Sequence, residues 1–378
     1  MVTARVVSLP GYEVLLGNGL LDQLGTVAAP VVRAHRYVVI TDSTVAALYA
    51  DRVLASLAPT RTDLLTIPPG EHEKTRQRWG WLTDRLLELE CGRDTVIVAL
   101  GGGVVGDLAG FTAATFLRGV PVIQLPTTLL AMVDASVGGK TAVDVPAGKN
   151  LVGAFHPPAL VVADPTVLDT LPDADRRAGL AEVIKHGVIA DADYLARTVA
   201  AMPTLIDAAG GSSEVMLETV LRSVQIKAAV VAEDEREAGR RRILNFGHTL
   251  GHAMESLSGY SLLHGEAVAI GMVLESRLAE WLGVARCGTA DAVVHAVTRA
   301  GLPVLPPPGD SRDVEQIVAA TRVDKKARGG VVEYALPVSV GQMAGADSGW
   351  GTTVDEATVS RFLVAEFAAA NEAAAAAG

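Results

Sequence analysis

A strand-length apolar run, TVIVAL at 95–100, opens directly into the glycine cluster GGGVVGD. That junction restricts the possible folds more than any other feature of the chain. A short run bounded by turn residues suits a strand buried on both faces rather than a helix. The glycines let the backbone turn sharply into whatever follows. Two comparable runs lie nearby: HRYVVIT at 35–41, followed by Asp42-Ser43 and a helical pattern, and PVIQL at 121–125. Between the first two runs, Trp79, Leu82, Leu86 and Leu89 recur at helical spacing within a segment from Glu73 to Glu90, and Cys91-Gly92 ends it. Strands alternating with helices predict an α/β domain with a parallel sheet and crossover connections.

After ALVVADPTVLDTLPDAD, near residue 170, the pattern changes to long helical stretches. The sequence therefore predicts two domains, 1–170 and 171–378, the second mainly α-helical with a strand-like piece at VVEYALP (331–337). The tail AAANEAAAAAG is low in complexity and is expected to fray. With 378 residues the chain can bury two cores. Its net charge of −11 argues against nucleic acid and acidic membranes as partners, so an anionic ligand needs local Lys and Arg to attract it. Cys91 and Cys287 form no CxxC and fit a reducing, cytoplasmic setting. The N-terminal segment shows neither a secretion signal nor a membrane span.

Gly101, Gly103 and Gly106 satisfy GxGxxG directly after a strand, where backbone N–H groups can approach a pyrophosphate. The acidic residue usual about 20 positions later is missing, so the Rossmann fingerprint is incomplete. Asp42, after the earlier strand, is an alternative partner for an adenosine ribose. VGGKT (137–141) is not a P-loop, because Asp134 stands where the first glycine would fall. Asp134 and Lys140 read as polar groups presented from a glycine-rich loop, either a salt-bridged turn or a site. Lys149-Asn150 adds groups suited to anions and hydroxyls.

The segment ILNFGHTLGHAMESLSGYSLLHGEAVAIGM (243–272) brings His248, His252 and His264 into an apolar, helix-like context, and Glu182 lies in a helical LAEVIKHG. Two imidazoles and one carboxylate make the open three-ligand set of a catalytic zinc site. His248 and His252 share one helical face, yet position 249 is Thr, so this is not HExxH. Lys227 falls on or beside the apolar stripe of its helix, as either an anion-binding group or a snorkelling side chain. Arg240, Arg241 and Arg242 run straight into the apolar ILNFGH. A dinucleotide and a hard metal ion in one chain suggest redox chemistry on a hydroxyl group.

Taken jointly, PGEHEK (69–74), GGGVVGDLAGF (101–111), RGVPVIQLPTTLLAMVDASVGGKTAV (118–143), GKNLVGAFHPP (148–158), GLAEVIKHG (179–187), KAAVVAEDERE (227–237), LNFGHTLGHAME (244–255), HGEAVAIGM (264–272) and DKK (324–326) resemble the 3-dehydroquinate synthases. The resemblance runs in one order from about Pro69 to Pro337. It implies a Rossmann-like NAD-binding domain followed by a helical metal- and substrate-binding domain. NAD would meet Asp42, Glu71, Lys74, Gly103, Val104, Asp107, Thr127 and Thr128. Zinc or cobalt would be held by Glu182, His248 and His264, and not by His252. Lys140, Asn150, Asn245 and His252 would bind the substrate phosphate, with Lys149 beside them. Lys227 and Arg241 would hold the carboxylate, and Lys325 would close over the anion. Arg118 would reach into a neighbouring subunit's site, implying a homodimer. Asp134, Lys185 and Glu237 would contact hydroxyls or organise the site. The resemblance gives His156 and His186 no role.

The activity so implied converts 3-deoxy-D-arabino-heptulosonate 7-phosphate into 3-dehydroquinate, a step of the shikimate pathway. A hydroxyl is oxidised transiently, phosphate leaves by β-elimination, the ketone is reduced again, and an aldol closes the ring. An aminated substrate analogue, a sedoheptulose phosphate and a metal-dependent polyol oxidation are the alternatives.

Overall fold

The computed structural model describes residues 4–207, 211, 213–259, 261–307, 312–327 and 332–377. They divide into two compact units. The first comprises Met1–Arg176 and Thr204–Ala232, and the second Arg177–Pro203 and Glu233–Gly378.

The first unit opens on the hairpin β1 (Arg5–Leu9) and β2 (Tyr12–Leu16) and a short helix α1 (Leu24–Ala28). Then β3 (Arg36–Asp42), α2 (Ser43–Leu57), β4 (Arg61–Ile67), α3 (Arg76–Glu88), β5 (Thr95–Gly101), α4 (Gly103–Thr115) and β6 (Val122–Pro126) alternate regularly. A second hairpin, β7 (Lys140–Val145) and β8 (Gly148–Phe155), precedes β9 (Leu160–Ala163). Seven strands form one sheet in the order β1-β2-β9-β6-β5-β3-β4, parallel except for the β1–β2 pair. The three strands predicted from apolar runs are thus neighbours at its centre. Strand β5 is buried along its whole length, as a strand covered on both faces must be. Below it, Ile97 and Ala99 pack with Leu82, Leu86, Leu108 and Phe111 from α3 and α4.

The α4 helix can lie this close because it carries glycines on its sheet side. A Cβ at Gly106 would come within 2.9 Å of Gln124 Oε1, and one at Gly110 within 2.4 Å of Thr141 Cγ2. The Gln124 side chain instead donates to Gly106 O at 3.1 Å, tying β6 to the helix. Tyr12 OH accepts from Gly138 N at 2.9 Å and anchors the glycine-rich turn before β7 to β2.

The chain continues through α5 (Asp173–Ala190), α6 (Ala192–Leu205) and α7 (Glu214–Glu233). The rest is helical apart from short strands: α8 (His248–Leu257), α9 (His264–Trp281), α10 (Thr289–Arg299), α11 (Val314–Ala327), β10 (Glu333–Tyr334), β11 (Pro337–Ser339), β12 (Gln342–Met343), β13 (Thr352–Thr353) and α12 (Glu356–Ala377). The core of the second unit joins Leu250 and Met254 of α8, Ile270, Leu274 and Leu278 of α9, Ile317 of α11 and Phe362 of α12. The alanine-rich tail falls within α12, which runs to Ala377. Alanine has the highest helix propensity, so a run of it prolongs a helix already docked upstream. No helix among the described residues is long and apolar enough to cross a membrane.

Candidate active site

In the first unit the candidate nucleotide-binding side chains gather at the C-terminal ends of β3 and β5. The chain leaves β3 toward β4 on one side and β5 toward β6 on the other. The crevice where this order reverses is the usual ligand position in an open α/β sheet. Asp42 closes β3 and caps α2, its Oδ1 accepting from Thr44 N and Val45 N at 2.9 and 3.0 Å. Gly103 and Val104 begin α4, whose N-terminus has no side-chain cap. Free N–H groups at such an end favour a pyrophosphate. Thr127 follows β6, and its buried Oγ1 has no hydrogen-bond partner among the described residues. The neighbouring Thr128 Oγ1 accepts from Ala131 N at 3.1 Å. An uncapped helix end beside an orphaned buried hydroxyl fits a dinucleotide.

A charged cluster stands next to this turn. Lys74 Nζ lies 2.5 Å from Asp107 Oδ2 and donates to Asn150 Oδ1 at 2.5 Å. Burial pushes the Lys74 ammonium down, but the charges of Asp107 and Glu71 outweigh it and hold its pKa above the ordinary lysine value. Lys149 Nζ is 3.4 Å from Glu71 Oε1. Asn150 adopts a left-handed φ of 56°, and its N–H donates to Asp144 Oδ1 at 2.8 Å. Lys140 opens β7 and is exposed.

Lys227 is buried on α7, and its Nζ pairs with Asp134 Oδ1 at 2.6 Å. The ammonium is turned inward, onto a carboxylate, and does not snorkel to solvent. Arg118 is exposed and follows Leu117, both in the left-handed region at φ 70° and 49°. Non-glycine residues hold such angles only where their surroundings enforce them. His156 Nε2 lies 2.9 Å from Val120 O and fastens the end of that loop.

In the second unit, three helices bring Glu182 (α5), His248 (α8) and His264 (α9) together. Glycines permit the approach. A Cβ at Gly265 would lie 2.0 Å from Ala178 O of α5, and one at Gly271 would lie 1.8 Å from Gly247 O at the start of α8. His248 and His264 are the first residues of their helices. His248 Nε2 lies 3.6 Å and His264 Nε2 3.9 Å from the same carboxylate oxygen, Glu182 Oε1. Donors about 2.0–2.1 Å from a tetrahedral zinc stand roughly 3.3 Å apart, so a small inward movement completes the set.

The other ring nitrogens support the same orientation. His248 Nδ1 is 3.1 Å from Phe246 O, which can only accept, so Nδ1 carries the proton and Nε2 keeps its lone pair. His264 Nδ1 is 3.3 Å from Glu255 Oε2. Burial, reinforced by the nearby charges of Lys185, His252 and His264, holds His248 well below the ordinary imidazole value. It is therefore neutral at pH 7, as a metal ligand must be. Glu182 is fully buried and ion-paired with Lys185 one turn along α5.

The His252 ring lies 5.0 Å from that of His248 and 5.7 Å from that of His264, and it is exposed. Three histidine nitrogens thus form a second candidate metal set overlapping the first. A recess of about 60 Å³ is lined by Arg242, Asn245, His248, His252, Glu333 and Trp350, among others. Asn245 Nδ2 donates to Glu237 Oε1 at 2.6 Å. Arg241 is buried, and its backbone N–H donates to Asp234 Oδ2 at 3.0 Å. Asp234 also accepts from Ala238 N and Gly239 N, closing the loop that carries Glu237. His186 is fully buried. Lys325 lies in α11, and its side chain is outside the described residues.

The sequence reading missed Asp234, Glu255 and Glu275. Glu275 is fully buried, and its carboxylate accepts from Gly247 N at 2.7 Å and Leu250 N at 3.1 Å. It caps α8 in place of Gly247, which has no side chain to do so. Glu255 was within reach of pattern reasoning, since 248, 252 and 255 share one helical face.

Residues 64–178 match the family model for the 3-dehydroquinate synthase N-terminal region, and 179–327 match that for its C-terminal region. The chain belongs to the 3-dehydroquinate synthase family. A 3-dehydroquinate synthase from Synechococcus sp. is 45% identical over 357 residues, covering 93% of this chain and 96% of that protein. Among solved structures, 2-deoxy-scyllo-inosose synthase complexed with carbaglucose-6-phosphate, NAD+ and Co2+ superposes with a TM-score of 0.84 at 27% identity, over 96% of this chain and 99% of its own. The 2-epi-5-epi-valiolone synthase of Streptomyces hygroscopicus, with NAD+ and Zn2+ bound, gives 0.83 at 28% identity, over 96% and 98%. The chain thus shares its fold with both of these synthases.

Proposed function

We propose that this chain is a 3-dehydroquinate synthase, a carbon–oxygen lyase that cyclises 3-deoxy-D-arabino-heptulosonate 7-phosphate with release of phosphate. The observation that carries the reading is the convergence of His248 and His264 Nε2 on the buried Glu182 carboxylate, in a chain of this family. In this reading Glu182, His248 and His264 hold one zinc or cobalt ion. Asp42, Glu71, Lys74, Gly103, Val104, Asp107, Thr127 and Thr128 hold NAD. When bound, NAD takes up and returns a hydride, and the metal ion acidifies the hydroxyl that is oxidised. Two solved relatives carrying NAD+ with Co2+ or Zn2+ support both cofactors.

The chain's own groups hold the substrate and balance its charge. Lys227 and Arg241, both buried cations, neutralise the carboxylate. Lys140, Lys149, Asn150, Asn245 and His252 receive the phosphate, and Lys325 closes over the anion. Asp134, Lys185 and Glu237 orient hydroxyls; in the structure they pair with Lys227, Glu182 and Asn245 respectively. The substrate carboxylate would therefore compete with Asp134 for Lys227. Arg118 serves the site of a second copy, so the working form is a homodimer in the cytoplasm. Holding one conformation and dispersing charge are the main contributions of such a site.

Two buried cations, Lys227 and Arg241, favour a substrate with a carboxylate over a sedoheptulose phosphate. The test compares phosphate release from both compounds in parent, Lys227→Met and Arg241→Met proteins. We expect the heptulosonate to be turned over by the parent alone at high efficiency, with each variant raising KM for it. Equal turnover of the carboxylate-free sugar would contradict the assignment.

A further inference from the structure

The α8 helix presents His248, His252 and Glu255 at i, i+4 and i+7, on one face. Glu255 is a carboxylate with a side chain only 5% exposed, and its Oε2 lies 3.3 Å from His264 Nδ1 on α9. The two candidate ligand imidazoles are therefore steadied differently. His248 is held locally, by the carbonyl of Phe246 two residues before it. His264 opens its helix with a side chain 31% exposed, and its ring is reached by a group from a different helix.

We infer that Glu255 is the positioning residue of His264, and that through it α8 governs the affinity of the site for its divalent cation. An ionised carboxylate only accepts, so Nδ1 of a neutral His264 must donate to it and Nε2 keeps its lone pair. That nitrogen is the one facing Glu182 Oε1 at 3.9 Å. A carboxylate on the far nitrogen both fixes the ring and strengthens the donor, and losing such a partner costs about 10–100-fold in metal affinity. A purely structural ion pair would behave otherwise: its loss would lower the melting temperature of the metal-free protein and leave metal affinity alone.

The inference rests on Glu182, His248 and His264 being the ligand set. Metal-free parent, Glu255→Ala, Glu255→Gln and His264→Ala proteins would be titrated with Zn2+ against a chromophoric chelator. Melting temperatures of the metal-free forms and the visible spectra of the Co2+ forms would be recorded alongside. We expect Glu255→Ala to bind about 10–100-fold more weakly and Glu255→Gln several-fold more weakly, since its amide oxygen still accepts but carries no charge. Both should shift the Co2+ bands, with metal-free melting close to the parent. Should the alanine variant fail to fold, the isosteric Glu255→Gln protein decides alone. Parent-like affinity and spectra in Glu255→Gln would overturn the inference while leaving the ligand set intact. Parent-like affinity in His264→Ala would overturn the ligand set, and the inference with it.

Discussion

Replacing Gly271 by alanine tests whether backbone contact between α8 and α9 sets the geometry of the proposed metal-binding residues. The new Cβ would lie 1.8 Å from Gly247 O, 2.7 Å from Gly247 C and 2.9 Å from Gly251 N. All three are backbone atoms, so no rotamer change relieves the clash. Carbon–oxygen contact needs more than 3 Å, so the helices must part by about 1 Å or more. His248 directly follows Gly247, and the displacement falls on the proposed ligands His248 and His264. Overpacking of this kind costs about 1–3 kcal/mol. A misplacement of about 1 Å can cost roughly 100-fold in rate. We expect Gly271→Ala to fold with a lowered melting temperature, weaker Zn2+ binding and turnover reduced about 100-fold. Differential scanning calorimetry, chelator competition and phosphate release measure the three. Melting and metal affinity equal to the parent would refute the reasoning, because the clash would then have been absorbed without moving α8.

Gly80 offers the opposite case. It lies inside α3 with nothing within 4 Å of an added Cβ, so Gly80→Ala should raise stability by about 0.5–1 kcal/mol in a denaturant titration. Asp234 gives a pH dependence. Burial raises its carboxyl, but the N–H groups of Gly239, Ala238 and Arg241, with the Arg241 charge, outweigh that and hold it below the usual range. Its contribution to stability is complete above the ordinary carboxylate value and is lost as pH falls through its own lower one. Melting curves of Asp234→Asn and parent should therefore differ by a constant amount near neutrality and converge in acid; a gap that widens in acid would contradict this. Finally, His264→Ala and Lys140→Ala should each abolish turnover with the circular dichroism of the parent preserved, the first also losing its metal.

The central strands were legible because β3, β5 and β6 are covered on both faces, and such strands read as unbroken apolar runs. The start of α4 was legible from its glycines. The β4 strand was not, since only Leu65 and Ile67 in it are buried. The β7–β8 hairpin was equally hidden: its second strand carries Lys149 and Asn150 and is largely open to solvent. Patterning could place Lys227 on an apolar stripe but could not supply Asp134, 93 residues away, as its partner. Glu275 shows the same limit. An acidic residue in a helix normally signals a solvated face, and only tertiary structure shows it capping another helix. The proposed roles rest mainly on family motifs, because spacing alone did not say which two of His248, His252 and His264 join Glu182 at the metal.

The central claim is that the chain releases phosphate from the heptulosonate phosphate while recycling its NAD. Metal-free protein would be supplied with substrate, far less NAD than substrate, and then Zn2+ or Co2+, with phosphate and NADH absorbance followed in one cuvette. The proposed function requires phosphate release that begins on metal addition, exceeds the NAD present many times over and leaves no lasting NADH. NADH accumulating without phosphate would contradict it and make the chain a polyol dehydrogenase.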